Sequence, residues 1–373
     1  MVTDPTEGLG LLEKLVRTPS DGPEGEGLEV VEDWLRNASV TAGRFRSAES
    51  LPPVLWAGRR PGRKGPGTVF AVHWDTVPSP PGQRRYVLRD RTSVHGRGAL
   101  DMKAGVALAL ILLRDHWRTF PGGLGLLVTT DEERESAGAW SVVRAVAASR
   151  PLVLVPEPTG ERVNLLAWGR VVLEAGYRGE GGHGEGFGRP DRPRNPIDAL
   201  ALALGALPRG VTALGVGTQG EGEVTVPRRA FARLDVVVPP GRTGEDRRRE
   251  VVRAFERVGR RFAPLETEVG WAPRSTPWLP SYRTDRSLPS VRRFLRAVRE
   301  ATGALVLAPQ TAVGDFNVFG QRLPTIVYGP GGSGAHADHE QVSRASFARC
   351  LSAYERFLEG TGPFARTIKR GQP

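Results

Sequence analysis

Cysteine is almost missing from this 373-residue chain, which carries only Cys350. An intramolecular disulfide and a cysteine-built zinc site are both excluded. Cys350 lies in FARCLSAYERFL, a helical pattern in which it reads as a core residue and not as a nucleophile. Long apolar runs are missing too, and none approaches the ~20 residues that span a bilayer. The start, MVTDPTEGLGLLEKLVRTPS, carries acids early and lacks the basic head and apolar middle of a secretion signal, so a cytoplasmic protein is expected. Acids are scarce relative to bases, with 41 Asp and Glu against 52 Lys and Arg, for a net charge of +11. Such a balance reflects either arginine spread over solvated faces or an acidic partner. Nucleic acid is the weaker partner, because there is no zinc finger, no aromatic-studded basic strand and no basic heptad helix. The RRRE run at 247–250 sits in GEDRRREVVRAFERVGRR, which reads as an amphipathic surface helix. What is present, 39% hydrophobic and 25% charged residues, suits a soluble globular protein with a real core.

The first half alternates strands and helices. GLLEKLVRTPS and LEVVEDWLRNA have helical periodicity, TVFAVHWDT reads as a strand, and DMKAGVALALILLRDHW as a long apolar helix. GLGLLVTTDEE, SAGAWSVVRAVAASR and PLVLVPEP continue as strand, helix and strand. This alternation predicts an α/β fold with a mostly parallel sheet. Near residue 168 the texture changes to longer strands at hairpin-like spacing around two helices, which predicts an inserted α+β domain. After the proline-rich WAPRSTPWLPSY the first texture resumes. The expected organisation is therefore a catalytic domain over 1–168 and 276–373, interrupted by a smaller domain over 169–275.

Ligands of open α/β sheets bind at the carboxyl ends of the strands. TVFAVHWDT delivers His73 and Asp75 there, on one side of a strand because they stand two positions apart with Trp74 between them. HGRGALDMKAG places Asp101 at a turn entering the apolar helix. LLVTTDEE ends in Asp131, Glu132 and Glu133, and LVPEPTG in Glu157. YGPGGSGAHADHE brings His336 after the last strand, with Asp338, His339 and Glu340 behind it. Each signal alone is weak, and a DEE triplet by itself is usually a solvated turn. Jointly, two imidazoles and several carboxylates at one sheet edge repel unless protons or cations join them. Two divalent ions would resolve the conflict, and histidine plus carboxylate without cysteine suits zinc, cobalt or manganese.

These motifs resemble the zinc-dependent peptidase family of carboxypeptidase G, acetylornithine deacetylase, succinyl-diaminopimelate desuccinylase and aminoacylase. HWDTVP resembles its H-x-D-T-V-P motif and GRGALDMKAG its G-R-G-x-x-D-M-K-G-G motif; TTDEE, PEPTG and AHADHE follow in the family's order, over essentially the whole chain. The resemblance implies that His73, Asp101 and Glu157 hold one zinc ion and Asp101, Glu133 and His336 the other. It further implies that Asp75 hydrogen-bonds the far nitrogen of His73, and that Glu132 is the general base that takes a proton from water and returns it to the leaving amine. The inserted domain would be the family's lid and dimerisation domain, making the protein a homodimer. His183 of GEGGHGEG would stabilise the oxyanion, and NPIDAL with Asn195 follows at the family's spacing.

A finer resemblance is to the acetyl-lysine deacetylase branch, the [LysW]-lysine and [LysW]-ornithine hydrolases. PEPTG, GDFNVFG with Asp315 and Asn317, and YGPGGSGAHADHEQVS are similar to that branch's segments. The resemblance implies release of lysine or ornithine from the acidic carrier protein LysW, towards which a basic enzyme would be steered. Asp315, Asn317 and Arg233 are then the expected substrate-binding residues. The alternative is a deacylase of small N-acyl amino acids, of the acetylornithine or succinyl-diaminopimelate type, or a dipeptidase. A binding protein that has lost catalysis is argued against by the intact Glu132 and metal ligands. One departure concerns the lid strand: relatives carry an arginine in a D-x-R-x-P context, where FARLDVVVPPG has Val237 and places Arg233 earlier. The glycine-rich segment RGEGGHGEGFGRPDRPRNP is also unusual for the family.

Overall fold

The computed structural model describes residues 4–22, 26–45, 52–79, 88–183, 194–220 and 225–360. The chain divides into two compact units, one of Met1–Ala167 with Arg283–Pro373 and the other of Trp168–Tyr282. The sequence reading ended the insertion at residue 275, whereas the unit runs on to Tyr282. The reason is local: the proline-rich run is tied back into its own unit, where Leu279 accepts a backbone hydrogen bond from Arg170 at 2.9 Å and Ser281 donates to the Pro239 carbonyl at 3.0 Å.

The larger unit is built on a six-stranded sheet of β1 (Ala42–Phe45), β2 (Val54–Gly58), β3 (Thr68–His73), β4 (Leu124–Thr129), β5 (Leu152–Val155) and β6 (Thr325–Val327). In space β4 lies between β2 and β3, and β5 between β3 and β6. β3 runs parallel to β4 and β5, and β6 parallel to β5, while β2 and β1 are antiparallel additions at one edge. Neither edge strand is among the expected elements: AGRF is short and alternates between exposed and half-buried positions, whereas VLWAG is apolar and mostly buried. Every residue of β3 and β4 is buried, as a sheet covered by helices on both faces requires. One cover is the helix Ala104–His116, buried continuously from Ala104 to Leu113, which explains why its sequence is apolar all round. Another is Arg344–Glu359, which buries Cys350 and sets Tyr354 edge-on to Phe70 with ring centroids 5.3 Å apart. Truncating a ring such as Phe70 in this core would cost about 3–5 kcal/mol.

The smaller unit is a four-stranded antiparallel sheet in the spatial order Val211–Gln219, Arg229–Val238, Gly169–Arg178 and Glu266–Trp271. Burial alternates along Arg229–Val238, so one face packs on the helices Pro196–Gly205 and Gly244–Gly259. Asn195 caps the first helix by accepting from the Ile197 N–H at 2.9 Å, and Thr243 with Asp246 forms a capping box on the second. Tyr177 stacks on Phe255 and donates to its carbonyl at 2.8 Å. At the sheet edge Leu214 and Val216 are exposed, as are Ile197 and Leu202 on the first helix. Among the described residues no helix is long and apolar enough to cross a membrane.

For the site, the consequence of the larger sheet is direct. Its parallel strands end on one side, where His73 closes β3, the 130–133 turn follows β4, Glu157 follows β5, and the segment leading to His336 follows β6.

Candidate metal centre

His73 is buried at the end of β3, and its Nδ1 lies 2.8 Å from the backbone carbonyl of Asp75. That nitrogen therefore donates, and Nε2 faces the carboxylates. The Asp75 carboxylate was expected to make this contact, but it stands 3.9 Å from Nδ1. It accepts the backbone N–H groups of Glu132 and Glu133 instead, at 3.2 and 3.1 Å. The tautomer of His73 is set by a carbonyl, and the carboxylate of the same residue holds the turn that carries two further acids. Asp131, whose φ is +71°, makes that turn tight, and its Oδ2 accepts from the Ala137 N–H at 3.2 Å.

Asp101 lies between the two imidazoles. Its Oδ1 is 3.2 Å from His73 Nε2, and its Oδ2 is 3.2 Å from His336 Nε2. Glu133 is 3.1 Å from the same nitrogen of His336. Glu157 and Glu132 approach His73 Nε2 at 3.7 and 4.0 Å. The ligand atoms of His73, Asp101 and Glu133 all fall within 4.8 Å of one another. His73 and Glu157 form a closed floor, whereas the His336 side chain is 53% exposed and marks the open side. His336 has a φ of +63°, a left-handed conformation that a side chain adopts only when its surroundings hold it.

The electrostatics of the cluster are unbalanced. Burial disfavours the charged form of His73, but the charges of Glu132 and Glu157 and the hydrogen bond to Asp101 outweigh it and push its pKa well above the usual imidazole range. Hydrogen bonds to Asp101 and Glu133 lift His336 to about 10. Burial pushes Glu132 and Glu157 well above ordinary carboxylates, against the pull of His73, and raises Asp75 in the same way. Asp101 alone is held low: hydrogen bonds from His336 and His73 overcome its burial. A cluster whose burial and crowded like charges disfavour ionised Glu132, Glu157 and Asp75 while favouring charged His73 and His336 has too little positive charge. Divalent cations would supply it, and the donor set of imidazole and carboxylate without thiolate fits zinc-like ions. The grouped ligand atoms of His73, Asp101 and Glu133 could hold an ion, and Glu157 and His336 stand beside them.

The remaining expected residues lie elsewhere. Asp315 and Asn317 were expected to bind substrate, but both are buried, at 3% and 0% exposure. Asp315 Oδ2 accepts from the Thr129 hydroxyl at 2.5 Å, and burial lifts its pKa to about 6. Asn317 Oδ1 accepts from the Gly314 N–H at 2.9 Å. Both lie on the helix Asp315–Gly320, which is buried from Asp315 to Phe319. Arg233 is exposed on the second unit's sheet, in register with Glu174. Val237 on the same strand pairs with Arg170, which binds Asp235 at 2.9 Å. His183 is exposed in a short strand paired with Thr225, and residues 184–193 of the glycine-rich segment lie outside the described residues.

Two contributors lie inside the quoted motif segments but have no role assigned by them. Gly314 packs directly on Glu132, so closely that a Cβ there would meet Oε1 at 2.1 Å. Glu340, first seen only as one of three polar residues behind His336, is buried, while Asp338 and His339 are exposed. Local sequence marks neither, since each acts on a residue distant in the chain. Lys103 is better signposted, because DMK precedes the apolar helix; it is buried, reaches the carbonyls of Leu15 and Thr18, and lies 4.6 Å from the Trp74 ring centroid.

Known proteins resemble this chain over most of its length. The model of peptidase family M20/M25/M40 matches residues 69–360. A succinyl-diaminopimelate desuccinylase of Methylobacterium radiotolerans is 29% identical over 96% of this chain and 98% of its own length. Its namesake from Gluconacetobacter diazotrophicus is 27% identical over 95% and 97%. Among solved structures, a tripeptidase from Staphylococcus aureus superposes with a TM-score of 0.79 at 14% identity, covering 96% of this chain and 98% of that one. A Bacillus subtilis protein described as a dinuclear metal binding peptidase of the M20 family gives 0.67 at 17% identity, over 95% and 97%. With a family model spanning most of its length, and acids and imidazoles gathered where a hydrolytic metal centre needs them, this chain belongs to peptidase family M20/M25/M40 and is a metal-dependent hydrolase of amide bonds.

Proposed function

We propose that this protein is a two-metal deacylase of small N-acyl amino acids, of the succinyl-diaminopimelate desuccinylase type. The observation that carries the reading is the near full-length similarity to desuccinylases together with the acid and imidazole cluster around Asp101. His73, Asp101 and Glu157 would hold one ion and Asp101, Glu133 and His336 the other, zinc being the ion that the ligand types favour and cobalt the next. Two such ions, when bound, supply the positive charge that polarises an amide carbonyl and acidifies a water.

The chain's own residues do the rest. Glu132 is the proposed general base, taking a proton from the attacking water and giving it to the departing amine. Its aim comes from Asp75, which fixes its backbone N–H, and from Gly314, whose bare Cα leaves room for the carboxylate. His73 keeps its Nε2 forward because Nδ1 is committed to the Asp75 carbonyl. The oxyanion is assigned to His183 by its motif, and a His183→Ala variant is expected to lose kcat while keeping its metal content.

A second reading, hydrolysis of lysine or ornithine from the carrier LysW, is supported by the net charge of +11, which would steer an acidic carrier. One experiment separates the two. Zinc-loaded and cobalt-loaded enzyme is offered N-succinyl-diaminopimelate, N-acetyl-ornithine, N-acetyl-lysine, dipeptides and the carrier-linked amino acids, at low and high salt. Preference for a small N-acyl amino acid, with a shallow salt dependence, supports the deacylase. Preference for the carrier form, with kcat/KM falling steeply as salt screens the encounter, supports the other reading. Hydrolysis of none of them would refute both. The second unit would serve as lid and dimerisation domain, a role that the exposed apolar side chains of Ile197, Leu202, Leu214 and Val216 support.

A further inference from the structure

Asp101 is the pivot of the cluster, yet no regular element holds it. The helix that follows starts only at Ala104, and Asp101 itself has φ −116° and ψ 99°, outside helical values. Its place must be held by contacts from elsewhere in the fold. The contact is Glu340, whose side chain is 2% exposed. Glu340 Oε1 accepts the backbone N–H groups of Leu100 and Asp101, both at 2.9 Å. Its Oε2 accepts the Gly98 N–H at 2.9 Å and Arg97 Nη1 at 3.2 Å. Four donors from one short turn thus converge on a single carboxylate. The Glu340 carbonyl accepts the Gly96 N–H at 3.0 Å, and the strand after it, Gln341–Ser343, pairs with Ser93–His95. On its other side the turn is packed: Gly98, at φ +77°, faces Thr76 and the Lys103 stem so closely that a Cβ would lie 2.6 Å from the Thr76 methyl.

We propose that Glu340 is a positioning residue, which orders the 97–101 turn so that the two oxygens of Asp101 face His73 and His336 and thereby sets the affinity for the bridged metal pair. The proposal rests on the metal reading given above. Its physical basis is the strength of hydrogen bonds to an ionised acceptor, roughly twice that of neutral ones. An amide in place of the carboxylate offers one oxygen and sets an NH2 group against donors, so part of the turn loses its anchor. Glu340 also lies on the same segment as His336. One stretch of chain therefore supplies a ligand and orders the residue that bridges to the other ligand set.

The test compares the full-length wild type with Glu340→Gln. Metal-free protein is titrated with zinc by calorimetry against a competing chelator, and hydrogen exchange of residues 97–101 is followed in the metal-free state. Expected for Glu340→Gln are a loss of zinc affinity of about 10–100-fold, faster exchange confined to the turn, and a fall in kcat with KM little changed. Excess zinc should restore part of that kcat. If Glu340→Gln fails to fold, Arg97→Met removes one of the four donors and should move affinity and exchange in the same direction by less. A folded Glu340→Gln, or failing that a folded Arg97→Met, with wild-type zinc affinity and exchange overturns the proposal, even if its Tm is lower. A wild type that binds no zinc overturns the metal reading, and the proposal with it.

Discussion

Replacing Gly314 by alanine tests whether Glu132 is the base and whether its position matters. Gly314 has extended backbone angles, φ −178° and ψ −164°, which alanine adopts without strain. The added Cβ would lie 2.1 Å from Glu132 Oε1 and 2.9 Å from a ring carbon of Phe316. Ordinary contact begins at 3.4 Å, so the carboxylate must withdraw by 3.4 − 2.1 = 1.3 Å. The folding cost is small, on the order of 1 kcal/mol, because the displaced oxygen ends a flexible side chain. The catalytic cost is large. A reacting group misplaced by ~1 Å loses ~10²-fold in rate, which is about 2.7 kcal/mol of transition-state stabilisation. The assay is kcat and KM of Gly314→Ala on the best substrate of the panel above, with zinc content and Tm measured on the same preparation. A fall in kcat of about two orders of magnitude, with zinc content retained, is expected. A kcat within a few-fold of wild type would refute the reasoning, either because Glu132 is not the base or because the site tolerates its displacement.

Three further outcomes are expected. Glu132→Gln should abolish hydrolysis while zinc binding, measured by calorimetry, stays close to wild type; persistent turnover would remove Glu132 from the mechanism. The Glu161 carboxylate is disfavoured by burial, but the Arg349 fork at 2.7 Å and the Ser346 hydroxyl outweigh this and hold its pKa below the ordinary 4.5. Its contribution is therefore complete above that ordinary value and lost as pH falls through the lowered one. With Arg349 half exposed, Arg349→Ala should cost no more than about 1 kcal/mol at neutral pH, a Tm difference that vanishes in acid; a difference that grew as pH fell would contradict the assignment. Leu214→Asp with Val216→Asp places two charges on the exposed edge of the second unit's sheet. It should convert a dimer to monomers in light scattering, and a wild type already monomeric would end the dimer proposal.

Much of the protein follows from local patterns. Continuous apolar runs such as TVFAVH can be satisfied only by a sheet buried on both faces, and the apolar helix after DMK only by burial all round. Because parallel strands finish on one side, His73, Glu132, Glu133 and Glu157 were bound to gather there, and their motifs announced the family. Other features lay beyond the sequence. The outermost edge strand, AGRF, is too short and too weakly patterned to read. Asp315 and Asn317 are expected to bind substrate, and only the fold shows that both are buried. His73 carries an aspartate two residues on, and only the fold decided that the backbone of Asp75 would orient it while the side chain held the next turn. Gly314 on Glu132 and Glu340 on Asp101 are the clearest cases, since each joins residues distant in the chain. Periodicity and strand ends are properties of neighbouring residues and can be read from them. The direction of a hydrogen bond and the room around a carboxylate depend on which distant segment arrives, and tertiary packing alone decides that.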